Sequence, residues 1–108
     1  MNNYFKSQFN NDQLKVIKEC EESGYDPSSF ARPELDSFKM RLAFHAIRNG
    51  NDLSFYLDSF NHEQLEEIRI GLLSGVDVDS YAITDLSADE MHMRRVELED
   101  KLTATMGV

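Results

Sequence analysis

FNHEQLEEIRIGLLSGVDVDSYAITD, residues 60–85, decides the fold because the chain writes it more than once. Weaker copies stand at 9–34 (FNNDQLKVIKECEESGYDPSSFARPE) and 35–59 (LDSFKMRLAFHAIRNGNDLSFYLDS), and a fourth begins at Leu86 (LSADEMHMRRVELEDKL). The starts, Phe9, Leu35, Phe60 and Leu86, are 26, 25 and 26 residues apart. A short fixed period is the signature of stacked helical units, none of which can bury its apolar side alone.

Within each copy the signals are those of a helix. An apolar residue precedes a capping residue, and a second apolar residue follows four positions later. The sets are Phe9-Asn10 with Leu14, Leu35-Asp36 with Met40, Phe60-Asn61 with Leu65, and Leu86-Ser87 with Met91. This is the hydrophobic staple, in which the residue before the cap folds onto the first turn. Asn10, Asp36, Asn61 and Ser87 can accept from the orphan amides there. Gln13, Gln64 and Glu90, three beyond their caps, complete capping boxes, whereas Lys39 breaks the pattern in the second unit.

The spacing then predicts helices of about 14 residues, the length from cap to glycine, ending at Gly24, Gly50 and Gly75 in left-handed conformation. Met40, Ala43, Phe44 and Ile47 fall at helical spacing, as do Leu65, Ile68 and Leu72, and Leu14 with Ile17 begins the same stripe. Ile70 and Leu73 add a second apolar side to the third helix, as an inner helix covered on both sides would need. After each glycine an Asp leads four residues later to an aromatic: Asp26 to Phe30, Asp52 to Tyr56 and Asp77 to Tyr81. Each reads as one turn of helix whose aromatic fills the seam between long helices, with Pro27 at the first position.

The expected architecture is all-α: tandem repeats of about 25 residues, a long helix plus a one-turn helix, stacked into a small solenoid or compact bundle. The expected organisation is one domain over 1–108, with units 9–34, 35–59, 60–85 and 86–102. Residues 1–8 would be a partial repeat, because Tyr4 precedes Phe9 as Phe30 precedes Leu35, and 103–108 a frayed tail. Arg94 and Arg95 interrupt the last stripe where Ile17 and Ile68 lead one to expect an apolar residue, as the polar outer face of a terminal repeat requires. Glu90–Arg94 and Glu97–Lys101 are spaced for ion pairs on that face.

Composition narrows the function. Twenty Asp and Glu against 11 Lys and Arg give a net charge of −9, unsuited to a surface that neutralises phosphates. The N-terminus has neither the basic start nor the apolar centre of a signal peptide, and no apolar run approaches a membrane span. A cytoplasmic location is the expectation. The single Cys20 shares its repeat position with Ala46 and Gly71, which predicts a small core thiol.

The run FNHEQLEEIRIGLLSGVDVDSYA resembles a short tandem repeat of proteins from Gram-positive bacteria and their mobile elements. Phe60, Asn61, Gln64, Leu65, Ile68, Arg69, Gly71, Leu72, Gly75, Asp77, Val78, Tyr81 and Ala82 carry the likeness, which extends loosely from Phe9 to Leu102. The second unit departs from it at Lys39 and at Leu57, which replaces the alanine. The resemblance implies a helical-repeat architecture in a mobile-element setting, and no chemistry.

Candidate sites are few. His45, His62 and His92 share no repeat position and no metal-ligand spacing, so two solvated histidines and a boundary His45 are expected. Glu21-Glu22 and Glu66-Glu67 diverge on a helix and do not form an acid–base pair. Lys18, Arg48 and Arg69 read as a solvated polar face. No catalytic, cofactor-binding or metal-ligating residue is expected, no partner-binding set stands out, and the protein is expected to be no enzyme. The expected role is a non-enzymatic protein–protein interaction module, an accessory of a phage or conjugative element. The alternative is an acidic decoy that mimics nucleic acid and occupies a basic groove of a host defence or regulatory protein.

Overall fold

A computed structural model describes residues 6–106, and they are all-helical, with no strand among them. Four α-helices, α1 (Asn11–Glu22), α2 (Ser37–Arg48), α3 (His62–Ser74) and α4 (Ala88–Met106), carry the fold. Short 3₁₀ turns stand before α1 (Lys6–Gln8) and between the helices, at Pro27–Ser29, Ser54–Tyr56 and Val78–Ser80. Tyr4 lies outside the described residues. The chain divides into two units, Met1–Asp58 and Ser59–Val108.

The helix starts follow the local chemistry. Asn10 and Asn61 accept from the amides of Gln13 and Gln64, whose side chains return the bond to the cap amides. Ser87 and Glu90 do the same at α4, and Asp36 caps α2 by accepting from the Lys39 amide. Each glutamine also has an amide nitrogen to donate, and here the fold uses it twice over. Gln13 Nε2 donates to the carbonyls of Pro33 (3.0 Å) and Leu35 (2.6 Å), and Gln64 Nε2 to those of Thr84 (3.5 Å) and Leu86 (2.8 Å). A residue that closes its own helix start therefore also holds the chain at the next one. Lys39, at the equivalent position of α2, gives its Nζ to the Leu57 carbonyl at 2.7 Å.

The helix ends are equally regular. Tyr25, Asn51 and Val76 donate their amides to the carbonyls of Cys20, Ala46 and Gly71, five residues back. Gly24, Gly50 and Gly75 donate to Glu21, Ile47 and Leu72, which makes three Schellman motifs. The three glycines have φ of +88°, +79° and +81°. The helices before them hold 12, 12 and 13 residues, shorter than expected because Ser23 and Asn49 stand between the last helical residue and the glycine in the first two. At Gly75 a Cβ would meet no atom within 4 Å, so a side chain there costs backbone strain alone. Gly75→Val is expected to lower stability by about 1–2 kcal/mol. An unchanged thermal midpoint for that variant would contradict the left-handed stop.

The returns after α1 and α3 are copies of one another. Phe30 and Ala31 both donate to the Pro27 carbonyl, and Tyr81 and Ala82 both to that of Val78; Leu35 then donates to Arg32, and Leu86 to Ile83. Asp52 accepts from the Ser54 amide but stands one residue before the N-cap of its turn, Leu53, whereas Asp26 caps its 3₁₀ turn through the amide of Ser28. Asp77, expected to do the same, makes no side-chain cap, and its carbonyl instead accepts from Ser80.

In the first unit α1 packs on α2. Gln13 bonds at Leu35 and Glu19 reaches Arg41 at 3.2 Å, so contacts advance along both helices together and the pair is parallel. Its core includes Val16, Ile17, Cys20, Phe30, Met40, Phe44, Leu53 and Leu57. Burial raises the Cys20 thiol pKa to about 11, helped by the nearby charges of Asp26 and Glu21, so the cysteine is a small core residue and a poor nucleophile at neutral pH. In the second unit α3 packs on α4, again in parallel, through Leu65, Ile68, Tyr81 and Met91. Each such side chain fully removed from water contributes roughly 1.5–3 kcal/mol.

Several expectations fail here for identifiable reasons. Leu73, expected under a neighbouring helix, is 55% exposed. Helix α4 runs on to Met106, through the segment expected to fray. Arg94 is exposed as expected of an outer face, but Arg95 is buried at 7% exposure. One residue along a helix turns the side chain through about 100°, which takes Arg95 off the outer face.

Candidate functional site

The densest ionisable cluster lies between α3 and α4. Arg95 Nε donates to Glu67 Oε1 at 2.8 Å, and its Nη1 to Glu99 Oε2 at 2.7 Å. His92 Nδ1 stands 3.0 Å from Arg95 Nη2 and 3.2 Å from Glu67 Oε1. It accepts from the guanidinium in one tautomer and donates to the carboxylate in the other. The Ser74 hydroxyl lies 2.6 Å from Glu99 Oε2 and 3.0 Å from the Ile70 carbonyl. The Ser74 hydrogen bond, followed by Arg95, holds the Glu99 carboxyl below the usual range, against some desolvation. Burial works against the Arg95 charge, but the hydrogen bonds it donates to Glu67 and Glu99, with their negative charges, outweigh it. Glu99 is thus kept ionised, and Arg95 is protonated throughout. Neither is poised to exchange a proton near neutrality. The cluster joins two helices.

The expected solvated histidines divide. His92 belongs to this cluster although half its side chain meets solvent, and His62 is half-buried. His45 is half-buried and stacks on Phe44 with ring centroids 6.2 Å apart. Among the described residues no group of three or more His, Cys, Asp or Glu is placed to hold a metal ion. Lys18 pairs with Glu22 at 3.9 Å, Arg69 with Glu66, and Arg48 lies 5.5 Å over the Phe44 ring. A cleft of about 320 Å³ in the second unit is lined by Gly75, Val76, Asp77, Leu98, Lys101 and Leu102 and is wide open to solvent. No helix among the described residues is long and apolar enough to cross a membrane.

What distinguishes the surface is aromatic. Phe55, in the 3₁₀ turn after α2, is 84% exposed, and Phe38, in the first turn of α2, is 69% exposed. Counted from the other helix caps, the equivalent residues are polar: Asp12, Glu63 and Asp89 for Phe38, and Ser29 and Ser80 for Phe55. An acidic residue in a first turn suits the helix dipole, so Phe38 replaces a locally favourable group by an exposed ring. The Lys39–Leu57 bond ties the two segments together. Phe55 meets Tyr56 edge-on at 5.2 Å, which holds the outer ring against a buried one. Phe38 and Phe55 are the residues that motif reasoning missed, although aligning the copies position by position exposes both as departures.

No family model matches the chain, and neither a curated protein nor a solved structure does.

Proposed function

We propose that this chain is a non-enzymatic protein–protein interaction module of the cytoplasm, built from tandem helix-plus-turn repeats and serving as an accessory of a phage or conjugative element. The exposure of Phe38 and Phe55 supports this reading most directly. Large rings held in water cost hydration free energy that a bound partner would recover. The described polar side chains that converge instead serve caps and ion pairs. The mobile-element setting rests on the likeness of residues 60–82 to the tandem repeat described above.

A second reading is favoured by the net charge of −9. An acidic decoy would present carboxylates in place of phosphates to a basic groove. Ionic strength separates the two readings, because exposed charge pairs are screened by salt while apolar burial is not. Tagged protein passed through host extract at low and high salt, with mass spectrometry of what is retained, is expected to hold one protein partner at both. Loss of that partner at high salt would favour the decoy, and retention of none at either salt would defeat both readings.

A further inference from the structure

We propose that Asn49 is a self-modifying site: when the end of α2 opens, its side-chain amide closes on the Gly50 nitrogen, and the lengthened backbone that results keeps that end from reclosing. The step needs neither an enzyme nor a partner, and it stands apart from the interaction reading. Asn49-Gly50 is the one Asn-Gly pair of the chain, where the sister stops carry Ser23-Gly24 and Ser74-Gly75. A glycine leaves the attacking nitrogen unshielded, and the space where a Cβ would stand at Gly50 is open.

In the step the Gly50 nitrogen bonds to Asn49 Cγ and the Cγ–Nδ2 bond breaks. Nδ2 leaves as ammonia, with the proton that the Gly50 nitrogen gives up. Water then opens the cyclic imide on one side or the other. One opening gives aspartate; the other gives isoaspartate, whose backbone runs through Cβ and is longer by a methylene.

The fold holds this reaction shut. Asn49 Nδ2 donates to the His45 carbonyl at 2.9 Å, and the Gly50 amide donates to that of Ile47 at 3.0 Å. With ψ of 9° at Asn49, the Gly50 nitrogen is nearly eclipsed with the Asn49 nitrogen, whereas ring closure needs it on the side of Cβ. Yet Asn49 and Gly50 are both exposed at a helix end, where local opening costs least. An aspartate product keeps the backbone length and has Arg48 beside it in the sequence. Isoaspartate puts its extra methylene inside the loop that the Asn51 amide closes on the Ala46 carbonyl at 2.8 Å, so the Schellman motif cannot re-form in register. The turn that follows carries the buried Leu53 and Leu57.

The test follows the whole chain at neutral pH by peptide mapping and mass spectrometry, folded and unfolded in guanidinium chloride. Asn49 is expected to convert in both, about tenfold or more slowly in the folded chain, and ahead of Asn10, Asn51 and Asn61 in the unfolded one. Chromatography then isolates the isoaspartate form. Amide exchange at the end of α2 should be faster in that form than in unconverted chain, with Asn49→Asp close to wild type. A folded chain that never converts, or converts as fast as the unfolded one, overturns the proposal. So does conversion of another asparagine ahead of Asn49 in the unfolded chain, or unchanged exchange in the isoaspartate form.

Discussion

Gly71→Ala is expected to destabilise the protein by about 2–4 kcal/mol, more than any single change at the helix stops. An alanine Cβ there would stand 1.9 Å from the Tyr81 hydroxyl oxygen and 2.7 Å from Val78 Cγ1, in a region with no space to yield. Tyr81 is fully buried, and its hydroxyl donates to the Glu67 carbonyl at 2.7 Å. Relieving the clash means moving the ring, which adds overpacking strain of about 1–3 kcal/mol to the loss of a buried hydrogen bond of about 1 kcal/mol. The sister unit shows what relieves it: Cys20 stands at the position of Gly71, and Phe30, lacking the hydroxyl, at that of Tyr81. Tyr81→Phe alone should therefore cost about 1 kcal/mol, and the Gly71→Ala/Tyr81→Phe pair less than the sum of the two. Urea unfolding followed by circular dichroism measures all three variants. Strict additivity would mean that the two residues do not share the space assigned to them.

This pairing also shows which parts of the molecule a reader of the sequence can reach. The caps at Asn10, Asp36, Asn61 and Ser87 and the stops at Gly24, Gly50 and Gly75 were legible because each is satisfied within a few residues of itself. The small residue at position 71 was legible as part of a small-residue series, but not its cause, which lies ten residues away on the returning turn. The second arm of Gln13 and Gln64 was hidden for the same reason, since a capping box accounts for only half of that side chain. Leu73 misleads because apolar character is no promise of cover, and an exposed leucine breaks no rule. Arg95 was the largest miss. Its position matches Arg69, half-buried and paired with Glu66, and that parallel was the available signal. Its partners Glu67 and Glu99 become meaningful only once α3 and α4 are known to lie parallel and in register.

Arg95→Ala is expected to lower stability by about 3 kcal/mol near neutral pH. The guanidinium is buried between the side chains of Glu67, 16% exposed, and Glu99, 26% exposed, so its removal strands two carboxylates that solvent reaches poorly. Arg95→Lys should cost less, because it restores the charge without the two-pronged geometry that serves both carboxylates at once. The pH dependence separates charge from packing. Glu99 titrates below its ordinary value in the folded protein, so its contribution is present above the unfolded pKa, about 4.3 for a glutamate, and is lost as pH falls through the lower folded value. A protonated Glu99 no longer needs the arginine. The gap between wild type and Arg95→Ala should then narrow below about pH 4. The Ser74 bond, the largest cause of the depression, remains in the variant, so the gap narrows gradually and Glu99 should still titrate low. Thermal unfolding of both proteins from neutral to acidic pH reads the difference. A gap that stays constant would show that Arg95 holds α3 to α4 through its methylene stem, with the ion pairs contributing nothing net.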